Sequence, residues 1–155
     1  MTITITGIDT EALRAALDEG FDHGNNPIEP FVDVEGGSPM RCCLRDSAPG
    51  DMMAIIAWSP FPWRGPYAEL GPIFVHASGC PGEHEGALPT EMDARPMVLR
   101  PYGPDQKIAY HHVRHLTAEE STTTALRELL AKPDVAFVHG RNLTGGCFAF
   151  HAELT

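Results

Sequence analysis

Proline and glycine are more frequent in this chain than in an average protein, which predicts many turns and loops. The sequence has 14 prolines and 15 glycines in 155 residues, and they are spread along the chain without a repeat. The longest apolar run, Met52 to Trp58, has seven residues. Runs of that length are typical of strands, because helices usually need ten or more residues. The sequence therefore predicts short strands joined by turns and loops.

Two segments have the apolar spacing and the flanking residues of helices. The first covers residues 11–19 and follows Asp9 or Thr10, either of which is a suitable N-cap. The second begins at residues 117–120, which match a capping box, and extends to about Ala131.

The strand segments are joined mostly by short turns, which favours antiparallel pairing. We expect one domain over residues 1–155, of the α+β class, with a mainly antiparallel, curved sheet of about eight short strands and two helices. Arg41–Leu44 and Met52–Trp58 are expected to form a hairpin across the turn at Pro49 and Gly50. The other expected strands are Thr2–Ile8, a short piece at Phe31–Val34, Ile73–Ala77, Met97–Tyr102, Lys107–His112, Val135–His139 and Cys147–Glu153.

The charge balance argues against two classes of partner. Twenty-one acidic residues against 11 basic residues give a net charge of −10, which disfavours nucleic acid and anionic membranes as partners. The N-terminal sequence lacks the basic and apolar regions of a secretory signal, and the longest apolar run is too short to span a bilayer. We therefore expect a cytoplasmic protein with four reduced cysteines.

A set of residues spread over most of the chain has a recognisable order. They are Arg41, Leu44, Pro49-Gly50, Pro60-Phe61, Pro66-Tyr67, the run from Gly71 to Val75, His139 and Gly146-Cys147-Phe148. Together they resemble the DUF1203 family, a group of small bacterial domains of unknown function. The resemblance covers about residues 38–152, and the family's usual Pro-Cys-Arg is Pro39-Met40-Arg41 in this chain. It implies one compact α+β domain and brings no established activity.

Arginine, histidine and tyrosine recur beside the apolar strands, which predicts a pocket for a small anionic molecule. Guanidinium groups suit carboxylate or phosphate, and imidazoles move protons near neutral pH. The alternative is that these side chains form the solvated face of a half-covered sheet. The expected ligand-binding residues are Arg41, Arg114, Arg141, Asn142 and Trp63, and the expected catalytic residues are His76, His112, His139 and Tyr67.

Thiols and imidazoles offer a further possibility. The spacing His76-x3-Cys80-x3-His84, together with Cys42 and Cys43, supplies ligand types that tetrahedral zinc accepts. The spacing matches no standard zinc motif, adjacent cysteines rarely bind one metal together, and a buried cysteine often acts as a small hydrophobic residue. We therefore expect no cofactor and no metal ligands, with a zinc-stabilised fold as a lesser alternative.

Residues 59–72 form a loop rich in proline and aromatic side chains. Trp63 and Tyr67 make it a candidate lid or docking surface, or else a simple cover for one end of the sheet. The leading expectation for function is thus binding of a small anion, with acid–base catalysis as an extension. The alternative is a non-enzymatic interaction module, such as a homodimer, that docks through this loop.

Overall fold

Two antiparallel sheets and three α-helices are found in the part of the chain that the structure, a computed structural model, describes, namely residues 1–82 and 84–155. The α+β class and the antiparallel pairing are confirmed. The strands are β1 (Ile3–Thr6), β2 (Phe31–Asp33), β3 (Asp51–Trp58), β4 (Gly71–His76), β5 (Glu85–Gly86), β6 (Met97–Tyr102), β7 (Arg114–Leu116), β8 (Phe137–Asn142) and β9 (Phe148–Leu154). The helices are α1 (Thr10–Glu19), α2 (Thr90–Asp93) and α3 (Thr122–Leu130), with a 3-10 turn at Tyr110–His112.

The contacts divide the chain into two compact units. Residues 1–6 and 85–155 form the terminal unit, which contains the six-stranded sheet in the order β5-β1-β9-β8-β6-β7. Residues 7–84 form the middle unit, which contains the three-stranded sheet in the order β2-β3-β4. The expectation of a single domain stays a prediction.

In the middle unit, β3 is the central strand and pairs with both neighbours. Met53 lies opposite Phe31 on one side and opposite His76 on the other. One face of the strand buries Ala54, Ile56 and Trp58, whereas the other buries Met53 and leaves Ile55 53% exposed, so the burial on both faces that the apolar sequence predicts is only partial. The short extended piece expected near Phe31 is therefore confirmed as β2.

Helix α1 begins and ends where the sequence predicts. The Asp9 carboxylate accepts hydrogen bonds from the backbone N–H groups of Glu11 and Ala12, at 2.9 and 3.1 Å. Gly20 ends the helix in the left-handed conformation, with φ of 82°. Leu13 and Ala16 are buried, so the apolar face of the helix packs inward.

The predicted hairpin of Arg41–Leu44 with Met52–Trp58 is wrong. Residues 41–45 form a tight turn that is closed by a hydrogen bond from Met40 N to the Arg45 carbonyl, at 3.0 Å. Leu44 has φ of 57°, which an extended strand does not allow. Arg41 N donates to the Phe74 carbonyl at 3.0 Å, so the turn is fastened to β4.

In the terminal unit, α3 packs on the sheet against β6, β8 and β9. Its inward face buries Leu126, Leu129 and Leu130. The helix starts at Thr122 with Ser121 as its N-cap, four residues after the predicted N-cap Thr117. The carboxylate of Glu120 does accept the N–H of Thr117 at 3.1 Å, but that contact closes a turn before the helix.

The predicted strand at Lys107–His112 is also wrong. Residues 110–112 form a 3-10 turn, and the strand β7 begins only at Arg114. The alternation that would place Tyr110, His112 and Arg114 on one face of a sheet is therefore absent. Between β4 and β6 the chain forms the short strand β5 and the short helix α2.

None of the helices in the described residues is long and apolar enough to cross a membrane. The longest of them, α1, has ten residues, which is about half of what a bilayer requires.

Candidate metal centre

Four sulfur and nitrogen ligands meet at one end of the middle unit. They come from the turn after Met40, from the last residue of β4 and from the segment that follows it. The ligand atoms all lie within 4.8 Å of one another. We call the set Cys42, Cys43, His76 and Cys80 the thiol–imidazole cluster.

The backbone explains why adjacent cysteines point the same way. In a strand, neighbouring side chains point to opposite faces. Cys42 and Cys43 instead lie in the turn that Arg41 fastens to β4, next to the end of β4 where His76 lies. Their sulfur atoms are 3.7 and 3.8 Å from His76 Nδ1.

The turn is fixed from its other side by the chain before α1. Ile8 N donates to the Arg41 carbonyl at 2.8 Å. A Cβ on Gly7 would lie 2.1 Å from that same carbonyl oxygen, so only glycine allows this approach. The two cysteines are therefore held in place by backbone contacts on both sides of the turn.

Cys80 reaches the cluster on a segment shaped by glycine. Gly79 and Gly82 flank it with φ of 122° and 144°, conformations that other residues rarely adopt. Ala77 N donates to the Met52 carbonyl at 3.0 Å and anchors the start of the segment beside β3. Cys42 and Cys43 are buried, whereas Cys80 is half-buried and its thiol donates to the Gly82 carbonyl at 3.6 Å.

Asp51 fixes the orientation of the His76 ring. The Asp51 Oδ2 atom lies 3.2 Å from His76 Nε2. An ionised carboxylate only accepts, so the neutral tautomer that fits this contact is the one with its proton on Nε2 and the lone pair of Nδ1 toward the thiols. The same oxygen accepts the backbone N–H of Ala48 at 2.8 Å, which holds the carboxylate at the start of β3.

Hydrogen bonds among the three thiols give them different pKa values. The bonds with Cys42 and then Cys80 lower the pKa of Cys43, against the effect of burial. The pKa of Cys42 is raised by its bond to Cys43, then by its bond to Cys80 and by burial. For Cys80, the bond with Cys42 lowers the pKa, but the bond to Cys43 and burial raise it to about 11. Three thiolates this close repel one another, so all three ionise only beside a cation.

A cavity of about 410 Å³ opens beside the cluster within the middle unit. His76 and Cys80 line one side of it, and α1 contributes Leu13 and Arg14 on the other. A second, smaller cavity of about 140 Å³ is lined by Cys43, Arg45 and His84, among others. His84, which the sequence placed among the metal ligands, thus lies along this smaller cavity and outside the cluster.

A second group of ligand atoms lies at the surface of the terminal unit. His111 Nε2 and His112 Nε2 each lie 3.1 Å from the carboxylate of Asp134. Two imidazoles that donate to one carboxylate account for this geometry. The pKa of Asp134 is lowered because these hydrogen bonds outweigh burial, which is the largest single influence and acts in the opposite direction.

A family model described as a protein of unknown function, DUF1203, matches residues 37–153. The chain belongs to the DUF1203 family. No curated protein and no solved structure matches the chain. All four residues of the thiol–imidazole cluster lie inside the DUF1203 span, and so does Asp51.

Four of the site residues predicted from sequence lie in the middle unit of this DUF1203 chain. His76 is in the cluster. Arg41 is buried, with its guanidinium donating to the Pro39 carbonyl and lying 5.7 Å from the centroid of the Phe74 ring. Trp63 packs edge-on against Phe61, with ring centroids 5.4 Å apart. Tyr67 is half-buried in the same loop.

The other five lie in the terminal unit. Their contacts include His112 with Asp134, Arg114 with Glu128, His139 with His151 at 3.2 Å, and Arg141 with the Gly146 carbonyl at 2.9 Å. Asn142, the fifth of them, donates its backbone N–H to the Cys147 carbonyl at 3.0 Å. A single anion pocket shared by Arg41 and Arg141 stays a prediction.

Sequence reasoning missed two features of this DUF1203 site. It did not find Asp51, whose position in the turn before a strand looked like ordinary loop chemistry. It also set aside the paired cysteines, because adjacent cysteines rarely bind one metal and the spacing matches no standard zinc motif. Leu44 has a positive φ, which makes this segment a turn instead of a strand. Leucine prefers extended or helical backbone, so nothing in the residue type predicts this conformation.

Proposed function

We propose that this protein binds one Zn²⁺ ion through the thiol–imidazole cluster, and that the ion stabilises the middle unit. The main support is the distance between the cysteine sulfur atoms and His76 Nδ1. Zinc bound tetrahedrally to sulfur at about 2.3 Å and to nitrogen at about 2.0 Å places those two atoms about 3.5 Å apart. The two buried sulfur atoms lie 3.7 and 3.8 Å from His76 Nδ1, so small shifts complete such a site.

The contact between His76 and Asp51 supports the same assignment. A histidine that binds a metal through one nitrogen usually donates the N–H of the other to a carboxylate or a carbonyl. His76 has this arrangement, with Nε2 toward Asp51 and Nδ1 toward the thiols. The carboxylate would therefore act as an orienting partner and not as a ligand.

The donor set favours zinc over other divalent ions. Three thiolates and one imidazole are soft or intermediate ligands, whereas magnesium and calcium prefer oxygen. A closed set of four protein ligands is typical of structural zinc, because a catalytic ion usually keeps a position for water. Here the ion would join the turn at Cys42 and Cys43 to β4 and to the segment that carries Cys80.

The test is zinc stoichiometry in purified protein and in single-cysteine variants. We expect one zinc per chain in the wild type, and loss of zinc in Cys42→Ser and Cys43→Ser. Cys147→Ser is the matched control, since Cys147 lies outside the cluster and is half-exposed. Zinc that is absent from the wild type, or retained fully by both cluster variants, would overturn the proposal.

The functions expected from the sequence stay predictions beside this one. Binding of a small anion, with acid–base catalysis by His76, His112, His139 or Tyr67, draws on residues of both units. Docking or dimer formation through the loop with Trp63 draws on the middle unit. The zinc proposal has the stronger geometric basis, because its four ligand atoms already meet.

A further inference from the structure

Cys80 differs from the other two thiols of the cluster in what it faces. Cys42 and Cys43 are 0% and 4% exposed, whereas Cys80 is half-buried and lines the cavity of about 410 Å³. Cavities of this size are typical of sites for small molecules. A molecule in the cavity would therefore meet the cluster at His76 and at Cys80, and of these two Cys80 is the thiol.

The opposite wall of the cavity is one face of α1. Its residues recur every three or four positions, so they share a side of the helix. Leu13 and Leu17 make part of this wall apolar, while Arg14 adds a guanidinium and Thr10 a hydroxyl. An arginine beside an apolar surface suits a small carboxylate, because the planar guanidinium can bind both carboxylate oxygens.

Asp18 narrows the ligand class further. It lies one turn beyond Arg14 on the same face and also lines the cavity. Its negative charge repels a second anionic group, so the cavity favours a molecule with a single carboxylate. Ser78 lines the cavity beside the cluster and adds a hydroxyl for hydrogen bonding.

We propose that the cavity admits small monocarboxylates that carry an electrophilic carbon, and that the zinc-bound sulfur of Cys80 is the nucleophile that attacks them. The inference rests on the proposed zinc centre, since metal coordination keeps a thiol ionised at neutral pH. Arg14 binds the carboxylate and thereby directs the carbon toward the sulfur.

The reaction is a displacement without electron transfer. A bond forms between the Cys80 sulfur and the carbon, and the bond from that carbon to its leaving group breaks. The leaving group departs with the electron pair as an anion. The sulfur becomes a thioether, which binds zinc more weakly than a thiolate does.

Two alkylating agents of nearly the same size test this inference. Iodoacetate carries the carboxylate and iodoacetamide lacks the charge. The full chain is loaded with zinc, its zinc content is measured, and each agent is added while mass spectrometry follows alkylation of every cysteine. Cys147, half-exposed and outside the cluster, is the internal reference.

We expect Cys80 to react before Cys42 and Cys43, and to favour iodoacetate over iodoacetamide more than Cys147 does. Arg14→Gln should lower that preference by about fivefold, the scale of a single partly exposed charge pair. Arg64→Gln is the matched control, because Arg64 is also exposed, lies in the same unit and does not line the cavity. It should leave the preference of Cys80 unchanged.

The outcomes separate the two proposals. If zinc is bound but Cys80 has the same preference as Cys147, or Arg14→Gln has no effect, the nucleophile inference is overturned and the zinc centre stands. If the purified chain holds no zinc, both are overturned.

Discussion

Asp51 shows how one side chain outside the ligand set can govern the proposed centre. Its carboxylate holds the proton of His76 on Nε2, at 3.2 Å, and so directs Nδ1 at the thiols. If the histidine were free to rotate, zinc binding would carry an additional cost in ordering the ring.

Asp51→Asn should weaken zinc binding about tenfold, the lower end of what is usual for such orienting partners. The amide keeps an oxygen that accepts from His76 but loses the charge that favours the bound imidazole. Competition with a chelating dye measures the zinc dissociation constant. Asp9→Asn is the control, since asparagine caps a helix about as well as aspartate. An unchanged constant in Asp51→Asn would refute the orienting role.

Gly140 in β8 is a second important residue, because the neighbouring strand leaves no room for a side chain at this position. A Cβ at this position would lie 2.2 Å from the ring of Phe150, which is fully buried on the neighbouring strand. Gly140→Ala should therefore lower the free energy of unfolding by about 1–3 kcal/mol, the usual cost of overpacking. Denaturant unfolding measures this.

Gly71→Ala is the matched control for that substitution. Its Cβ would meet no atom within 4 Å. It should change the free energy of unfolding by less than Gly140→Ala does. Equal effects would mean that the Phe150 contact is not the cause.

At the scale of elements, the sequence predicted those whose signals are local. The strand Met97–Tyr102 matches β6 at both ends, and α1 begins and ends at its predicted cap and stop. The prediction of a strand at Arg41–Leu44 was wrong because the conformation of this segment depends on partners that are distant in the sequence. It is a turn since it docks on Phe74 and on Ile8, and neither contact can be read from its own residues.

The pairing of β8 with β9 places two histidines opposite each other. His139 and His151 are register partners, and His139 is 1% exposed. Burial, and then the charges of His151, Arg141 and Arg100, hold the pKa of His139 well below its ordinary value. Burial also lowers the pKa of His151, although Glu153 acts against it. Both histidines are therefore neutral in the folded protein at neutral pH.

This pair predicts loss of stability in acid. Below about pH 6.5, His139 binds a proton in the unfolded chain but stays neutral in the folded protein. Its contribution to the free energy of unfolding is therefore complete above that pH and is lost as the pH falls toward the lower pKa of the folded state. The free energy of unfolding should fall by up to about 1.4 kcal/mol per pH unit for each histidine. Urea unfolding between about pH 5 and pH 8 measures the slope.

His139→Gln isolates this effect from the acid sensitivity of the zinc ligands. Both proteins keep the thiol–imidazole cluster, so the difference between their slopes belongs to the terminal unit. The variant should have the shallower slope. Identical slopes would show that His139 does not cause the acid sensitivity.

At the scale of the whole molecule, the α+β class followed from the spacing of turns, but the division of strands between two sheets did not. Antiparallel pairing between neighbours is a local property, whereas the pairing of β1 with β9 joins the two ends of the chain. The candidate centre was only half predicted for the same reason. Its residue types were visible in the sequence, and the turn that makes Cys42 and Cys43 converge was not.

Removing zinc should destabilise the molecule measurably. An ion that binds only the folded state contributes about 4 kcal/mol when its free concentration is a thousand times its dissociation constant. For a chain of this length that corresponds to a fall in melting temperature of about 10 °C. Calorimetry with and without a chelator measures it, and Cys147→Ser should behave like the wild type. If the chelator left the melting temperature unchanged, the claim that a bound ion stabilises the protein would be contradicted.

The central claim is that zinc sits among three sulfur atoms and one nitrogen, and X-ray absorption at the zinc edge tests it most directly. The claim predicts three sulfur ligands at about 2.3 Å and one nitrogen at about 2.0 Å. Coordination by nitrogen and oxygen alone would place the ion elsewhere, for example at His111, His112 and Asp134, and would contradict the claim.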